Sequence, residues 1–331
     1  MLRPILVSGH FPSVLTLLMT IFSRFLAINI SDNDIANRKN PLKKLIITGA
    51  TGLVGSHLIP ALCKTYEIHA LSRKKPASIS PNAVWNVADL EKELDYSILP
   101  QKADVLIYLA QSDHFRNFPA KALDIFQVNA VQVLKMLDFA RISGIKSFIY
   151  ASSGGVYGFP EKGVSEEVTI PASGNLGFYL SSKLCAEILA ENYASFMNIV
   201  ILRFFFVYGA GQKCSMLIPR LIDNVNSGRT VTLQGQDGIR INPVHVSDAV
   251  RAIRAAMDLQ GCHRINVAGP DILSLRDICE TIGNKVGKSP VFEISASTCT
   301  GNLIGDIESM KKLLVPPTIH FSEGVTDLVN P

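Results

Sequence analysis

Tyr179 and Lys183 stand four residues apart, the spacing that sets two side chains on one face of a helix. An ammonium close to a phenol favours the phenolate, so a tyrosine held this way can act as a general base near neutral pH. A serine hydroxyl can hold the oxygen that loses the proton. Ser153 is placed for that role in the run Tyr150-Ala151-Ser152-Ser153-Gly154-Gly155-Val156-Tyr157-Gly158, just past an apolar segment that reads as a strand. Tyrosine and lysine at this spacing arise by chance in many helices. The pair gains meaning from a third stretch, Leu45-Ile46-Ile47-Thr48-Gly49-Ala50-Thr51-Gly52-Leu53-Val54-Gly55, in which a strand runs through three evenly spaced glycines into a helix. Such a turn keeps side chains away from a pyrophosphate and aims helix N-terminal amides at it, and its last glycine lets the helix pack closely on the sheet. Gly49, Thr51, Gly52, Leu53, Val54 and Gly55 are therefore candidate contacts for a nicotinamide dinucleotide.

The next strand expected, residues 67–71, is followed by Ser72-Arg73. A site that prefers NAD usually carries Asp or Glu there for the ribose 2′-hydroxyl, whereas an arginine accommodates a 2′-phosphate. Glu67 begins the strand rather than ending it, so it cannot take the acidic role. The cofactor is thus NAD or NADP, with Ser72 and Arg73 leaning toward NADP; a solvated turn formed by Arg73, Lys74 and Lys75 is the alternative reading of the same residues.

From residue 42 onward, short aliphatic runs alternate with helical patterns, the rhythm of βαβ units that wind a parallel sheet. Strands are expected at 44–48, 67–71, 105–109, 147–151 and 199–204, with helices beginning near Gly52, Val128 and Tyr179. Later, 216–226 reads as a helix, 230–233 as a short strand and 247–257 as another helix. The expected organisation is an N-terminal extension at 1–40, an NAD(P)-binding Rossmann domain at 41–205, and a smaller substrate lobe at 206–331, from which 243–270 returns to the sheet.

With 331 residues and a formal charge of +4, its basic residues scattered, the chain lacks the electrostatic stripe of a nucleic-acid binder. Its six cysteines form no CxxC pair and no ligand-like pairing with the seven histidines, which argues against a structural zinc site and for reduced thiols in the cytoplasm. Residues 11–22 are largely apolar, lie between Arg3 and Arg24, and precede a polar run at 31–40. That core is short for a membrane span, and no small-residue cleavage site stands near Ala27. A membrane-associating segment and upstream sequence from an early start codon both remain open for this extension.

Taken together, these motifs resemble the NAD-dependent epimerase/dehydratase family of extended short-chain dehydrogenases/reductases, from about Lys43 to the end. The resemblance maps the catalytic serine to Ser153 rather than Ser152, and the Y-x-x-x-K pair to Tyr179 and Lys183. It also implies that Asp89-Leu90 lies near the adenine, that Leu109-Ala110-Gln111 passes the cofactor, and that Asn129 opens the next helix. Leu202-Arg203-Phe204-Phe205-Phe206-Val207-Tyr208-Gly209 is similar to L-R-x-x-N-V-Y-G. Substrate contacts are implied for Ser153, Phe206, Met216, Leu217 and Arg240, and a homodimer through the helices led by Val128 and Tyr179.

Three departures from the family pattern shape the reading. Phe206 stands where many sugar-nucleotide enzymes have asparagine. Arg240 lies five residues before His245 instead of four, with Pro243 as the inserted-looking residue. Gly154-Gly155 stand where dehydratases carry an Asp-Glu pair, which argues against 4,6-dehydration. Tyr157, Tyr208 and Cys185 read as packing residues, His245 as a structural hydrogen-bonder, His57 carries no assigned chemistry, and Asp306 and Glu308 read as a surface helix. The implied reaction is epimerisation of a nucleotide sugar at C4 through a transient 4-ketosugar. An NADPH-dependent reductase of a 4-keto sugar nucleotide or related carbonyl is the alternative, and a non-catalytic NAD(P)-binding regulator is a third reading.

Overall fold

A computed structural model of the protein describes residues 42–78, 80–170, 176–295 and 301–329; the extension read at 1–40 lies outside the described residues. Its centre is a seven-stranded parallel sheet of order β3-β2-β1-β4-β5-β6-β9. These strands are β1 Lys44–Thr48, β2 Glu67–Ser72, β3 Ala83–Val87, β4 Val105–Tyr108, β5 Ser147–Ser153, β6 Asn198–Phe204 and β9 Cys262–Val267. Because both faces are covered, the strands read as continuous apolar runs, and alternate residues feed two separate cores. Leu45 and Ile47 pack with Leu58 and Ile59 of α1 (Leu53–Leu62) and with Ile253 of α6 (Val246–Ala256). Ile46 and Leu106 face the other way, onto Val133 and Leu137 of α3 (Gln132–Ile142) and onto Ala186 and Ala190 of α4 (Phe178–Glu191). The result is a doubly wound α/β fold of the Rossmann type.

A third core gathers the later elements. Ile218 and Leu221 of α5 (Leu217–Asn226) meet Leu233 of β7 (Val231–Gln234), Ile241 of β8 (Arg240–Ile241), and Ile278 and Ile282 of α7 (Leu275–Val286). β8 pairs antiparallel with β10 (Leu273–Ser274), and β7 pairs parallel with β11 (Phe292–Ser295). Among the described residues, no helix is long and apolar enough to cross a membrane.

Two expectations for local structure change. The helix expected near Val128 starts earlier, with α2 (Ala122–Phe126), and passes through a π-helical stretch at Gln127–Val131 before α3. Its first turns expose Leu123 and Phe126, so the apolar periodicity that marks a one-sided helix is blurred there. Asp306 is not on the last-lobe helix but just before it, where its carboxylate accepts from the Glu308 N–H at 2.8 Å, ahead of α8 (Glu308–Leu313).

Candidate active site

In an open parallel sheet, ligands bind beyond the carboxyl ends of the strands, where the strand order reverses. Here that point lies between β1 and β4, and a cleft of about 600 Å³ opens above it. Gly49 has φ +68°, and a Cβ there would lie 2.7 Å from the Ala110 nitrogen; a Cβ on Gly55 would lie 2.5 Å from the Gly49 carbonyl oxygen. The turn therefore needs residues without side chains to let strand, helix and the β4 loop approach one another. This cradle fits a dinucleotide pyrophosphate. Gly49, Thr51, Gly52, Leu53, Val54 and Gly55 all line the cleft, as do Ser72, Arg73, Asp89, Leu90, Leu109, Ala110 and Gln111.

Ser153, Tyr179 and Lys183 line the same cleft. Ser153 ends β5, and its Oγ accepts from the Gly155 N–H at 3.2 Å. Tyr179 stands in the first turn of α4, its hydroxyl donating to Gln111 Oε1 at 2.9 Å and its ring 5.4 Å from that of Phe115. One turn on, the 2 % exposed Lys183 ammonium donates to the Ala151 carbonyl at 2.9 Å and lies 5.0 Å from the centre of the Tyr150 ring. Burial pushes Lys183 down to about 7, with Glu187 opposing. Burial also pushes Tyr179 well above the ordinary phenol value. The lowering of the Tyr179 pKa expected from a nearby Lys183 ammonium is not seen here. In this arrangement the ammonium is committed to a carbonyl, and desolvation outweighs it.

Two of the expected site residues do not reach the cleft lining. Asn129 is fully buried in the π-helical stretch, where its Oδ1 accepts from the Ser112 N–H at 3.1 Å and its amide donates to Ser182 Oγ at 3.0 Å. It ties the loop after β4 to the helix of Tyr179 and Lys183, so it positions both without touching the cleft. Arg240 is exposed on β8 and lines a separate shallow depression with Asp237 and Ser274. Adjacent strand residues face opposite ways; Ile241 takes the inward direction, and Arg240 faces outward. Phe206, Met216 and Leu217 do line the cleft, Phe206 with φ +45°.

Sequence reasoning passed over Asp113, Phe115, Arg116, Gln212 and Lys213, which also line the cleft. It also passed over Glu187, four residues beyond Lys183 on the same helix face. Glu187 accepts from the Arg203 Nη2 at 2.6 Å and from Ser152 Oγ. Arg203 in turn donates to the Tyr157 hydroxyl at 2.7 Å, which donates to Asn266 Oδ1 at 2.9 Å. Tyr157 is thus more than packing, and the continuing four-residue spacing from Tyr179 through Lys183 was the signal that marked Glu187. His245 accepts from the Ser247 N–H at 3.3 Å and caps α6, and burial lowers its pKa. His57 donates to the Ala210 carbonyl at 2.9 Å. Glu91, His114 and Asp124 bring ligand atoms within 4.8 Å of one another, but Lys121 is paired to Asp124 at 2.8 Å, and the group carries no metal assignment.

The fold and this cleft define an extended short-chain dehydrogenase/reductase with an NAD(P) site. A model of the NAD dependent epimerase/dehydratase family matches residues 45–268, and the chain belongs to that family. An uncharacterized UDP-glucose epimerase of Bacillus subtilis, YtcB, is 26 % identical over 307 residues, covering 86 % of this chain and 96 % of its own. A putative UDP-glucose 4-epimerase of Methanocaldococcus jannaschii is 24 % identical over 304 residues, covering 86 % and 97 %. Among solved structures, the UDP-glucuronic acid 4-epimerase of Bacillus cereus, in complex with UDP-glucuronic acid and NAD, superposes with a TM-score of 0.77 at 26 % identity, covering 87 % of this chain and 98 % of that one.

Proposed function

We propose that this protein is a nucleotide-sugar 4-epimerase. The observation that carries the reading is the convergence of Ser153, Tyr179 and Lys183 on a cleft whose other wall is a glycine turn fitted to a dinucleotide. When bound there, a nicotinamide would supply a hydride acceptor and a positive charge in its oxidised form, and the donor for the return transfer in its reduced form. As the phenolate that this charge favours, its own proton released to solvent, Tyr179 takes the proton from the sugar 4-hydroxyl, and Ser153 holds the same oxygen. Lys183, fixed by the Ala151 carbonyl, would add its charge and hold the nicotinamide ribose. Gln111 accepts from the neutral phenol, the form that hands the proton back to the keto oxygen. Phe206, Met216 and Leu217 form the substrate side of the cleft, where the oxidised sugar must turn its other face.

Dehydration is disfavoured by sterics as well as by chemistry. A Cβ on Gly154 would lie 2.5 Å from the Phe205 ring, and one on Gly155 2.8 Å from a Leu180 methyl, so an acid pair there would require both side chains to move. NAD is the cofactor we propose, against the lean of Ser72 and Arg73 toward NADP. An epimerase returns its hydride to the same substrate and draws on no NADPH pool, and the Bacillus cereus neighbour carries NAD. The reductase remains a second reading because the Tyr179–Gln111 bond holds the phenol protonated, as a carbonyl reduction requires. A homodimer belongs to the same proposal, supported by exposed Leu123, Phe126, Leu134 and Ile188 on the helices 122–142 and Phe178–Glu191. So does a cytoplasmic location, which the free cysteines among the described residues fit.

The test is incubation of the full chain, with NAD supplied, with UDP-glucose and UDP-glucuronic acid, read by proton NMR at C4. Interconversion with the C4 epimer is expected, and Tyr179→Phe should slow it by about 10²- to 10⁴-fold. No epimer from either sugar, together with NADPH consumption on a 4-keto sugar nucleotide, would replace the reading with the reductase.

A further inference from the structure

The end of β2 poses a problem that the rest of the cleft resolves. Arg73 stands where a 2′-phosphate would be received, yet its guanidinium is already engaged: Nη2 donates to Asp113 Oδ2 at 2.5 Å. Asp113 comes from the loop after β4, and its second oxygen accepts from Lys213 Nζ at 2.8 Å. Lys213 belongs to the loop leading into α5, on the substrate side. All three residues line the cleft, and a single carboxylate therefore joins its cofactor wall to its substrate wall. Arg116 adds a second tie between the same two loops, donating to the Ser215 carbonyl at 3.2 Å.

The surrounding charge points the same way. Asp89 and Glu91 also line the cleft and act on Arg73 electrostatically, together with Asp113. Lys213 and Arg73 hold the Asp113 carboxyl below its ordinary range, so it is ionised at neutral pH. A 2′-phosphate at Arg73 would bring nearly two negative charges beside three carboxylates and would have to displace one of them. A ribose 2′-hydroxyl brings no charge and can donate to a carboxylate.

We propose that Asp113 is the cofactor-selecting residue of this protein: it occupies Arg73 and Lys213, supplies from the β4 loop the carboxylate that β2 lacks, and excludes a 2′-phosphate. This rests on the reading of the cleft as a nicotinamide dinucleotide site and adds to it the residue that chooses between the two dinucleotides. Arg73 and Asp113 are partly exposed, with side chains 54 % and 40 % accessible, so the discrimination weakens as salt rises. Removing the Asp113 charge frees two cations at the position of the extra phosphate.

The experiment is equilibrium titration of the full chain, freed of retained nucleotide, with NADH and with NADPH, followed by nicotinamide fluorescence. The unsubstituted protein is expected to bind NADH more tightly. Asp113→Asn, isosteric and on an exposed loop, should narrow the NADH/NADPH ratio by about tenfold or more, the size that one charge removed a few ångströms from a phosphate implies. The gain should come from tighter NADPH binding, and adding Arg73→Ala should abolish it. If both nucleotides bind and Asp113→Asn leaves the ratio unchanged, or if the unsubstituted protein prefers NADPH, the selection role of Asp113 is wrong while the site reading stands. If neither nucleotide binds, the site reading itself falls, and the selection role with it.

Discussion

Two arginine–carboxylate pairs flank the helix of Tyr179 and Lys183 and work in opposite ways. Arg203 and Glu187 are each 2 % exposed and sit behind Lys183, closed in by Ser152, Tyr157 and Asn266. Arg73 and Asp113 lie at the mouth of the cleft, open to water, with Lys213 as a third member. A buried pair that loses one partner leaves a charge without solvent, whereas an exposed pair is worth little to folding and is readily exchanged for another. The inner pair therefore fixes where Tyr179 and Lys183 stand. The outer one is free to be tuned for what enters.

Substitution of the two pairs should separate these roles sharply. Glu187→Ala strands the Arg203 guanidinium and is expected to destabilise the protein by about 3–5 kcal/mol, measured by urea unfolding; a loss under about 1 kcal/mol would place the pair in the same class as the outer one. Lys183→Met tests the dry environment that the inner pair helps to build. Burial holds Lys183 at about 7, whereas its unfolded counterpart titrates near 10.5. Between those values the unfolded chain binds the extra proton, so stability rises with pH across that window, and the full penalty is present below about 7. The substitution should flatten that slope in the cofactor-free protein, seen as a melting temperature that no longer climbs from pH 7 to pH 10.

Smaller effects belong to the open side of the cleft. Gln111→Ala removes the acceptor that favours the neutral phenol, so the acid limb of the activity profile should move to lower pH, by less than about one unit given the usual worth of one hydrogen bond. Asp113→Asn should change folding stability by less than about 1 kcal/mol, with the difference fading in high salt. A larger loss would mean that the outer pair is structural after all.

The sequence showed the parts of the site that are governed by local rules. The glycine turn, the Tyr179–Lys183 spacing and Ser153 at a strand end each follow from short-range geometry, and the strands at 44–48, 105–109 and 199–204 from continuous apolar runs. Ala83–Val87 escaped notice because it is an edge strand whose Val84 and Val87 are exposed, so its pattern is neither continuous nor clearly alternating. Asp113 could not be read because its meaning depends on Arg73 and Lys213, which reach it from distant loops. Arg240 shows the reverse error: a motif match one residue out of step gave a side chain facing the wrong way, since strand geometry turns on single residues. Asn129 was recognised, but a buried amide serving two backbone segments looks, in one dimension, no different from a ligand contact.

In a 4-epimerase the hydride leaves and returns to the same carbon within one cleft. The most direct measurement is conversion of a UDP-sugar deuterated at C4, in ordinary water with unlabelled NADH added outside. Retention of deuterium at C4 of the epimer is the result expected. Loss of the label to the added nucleotide or to solvent would contradict a self-contained epimerisation.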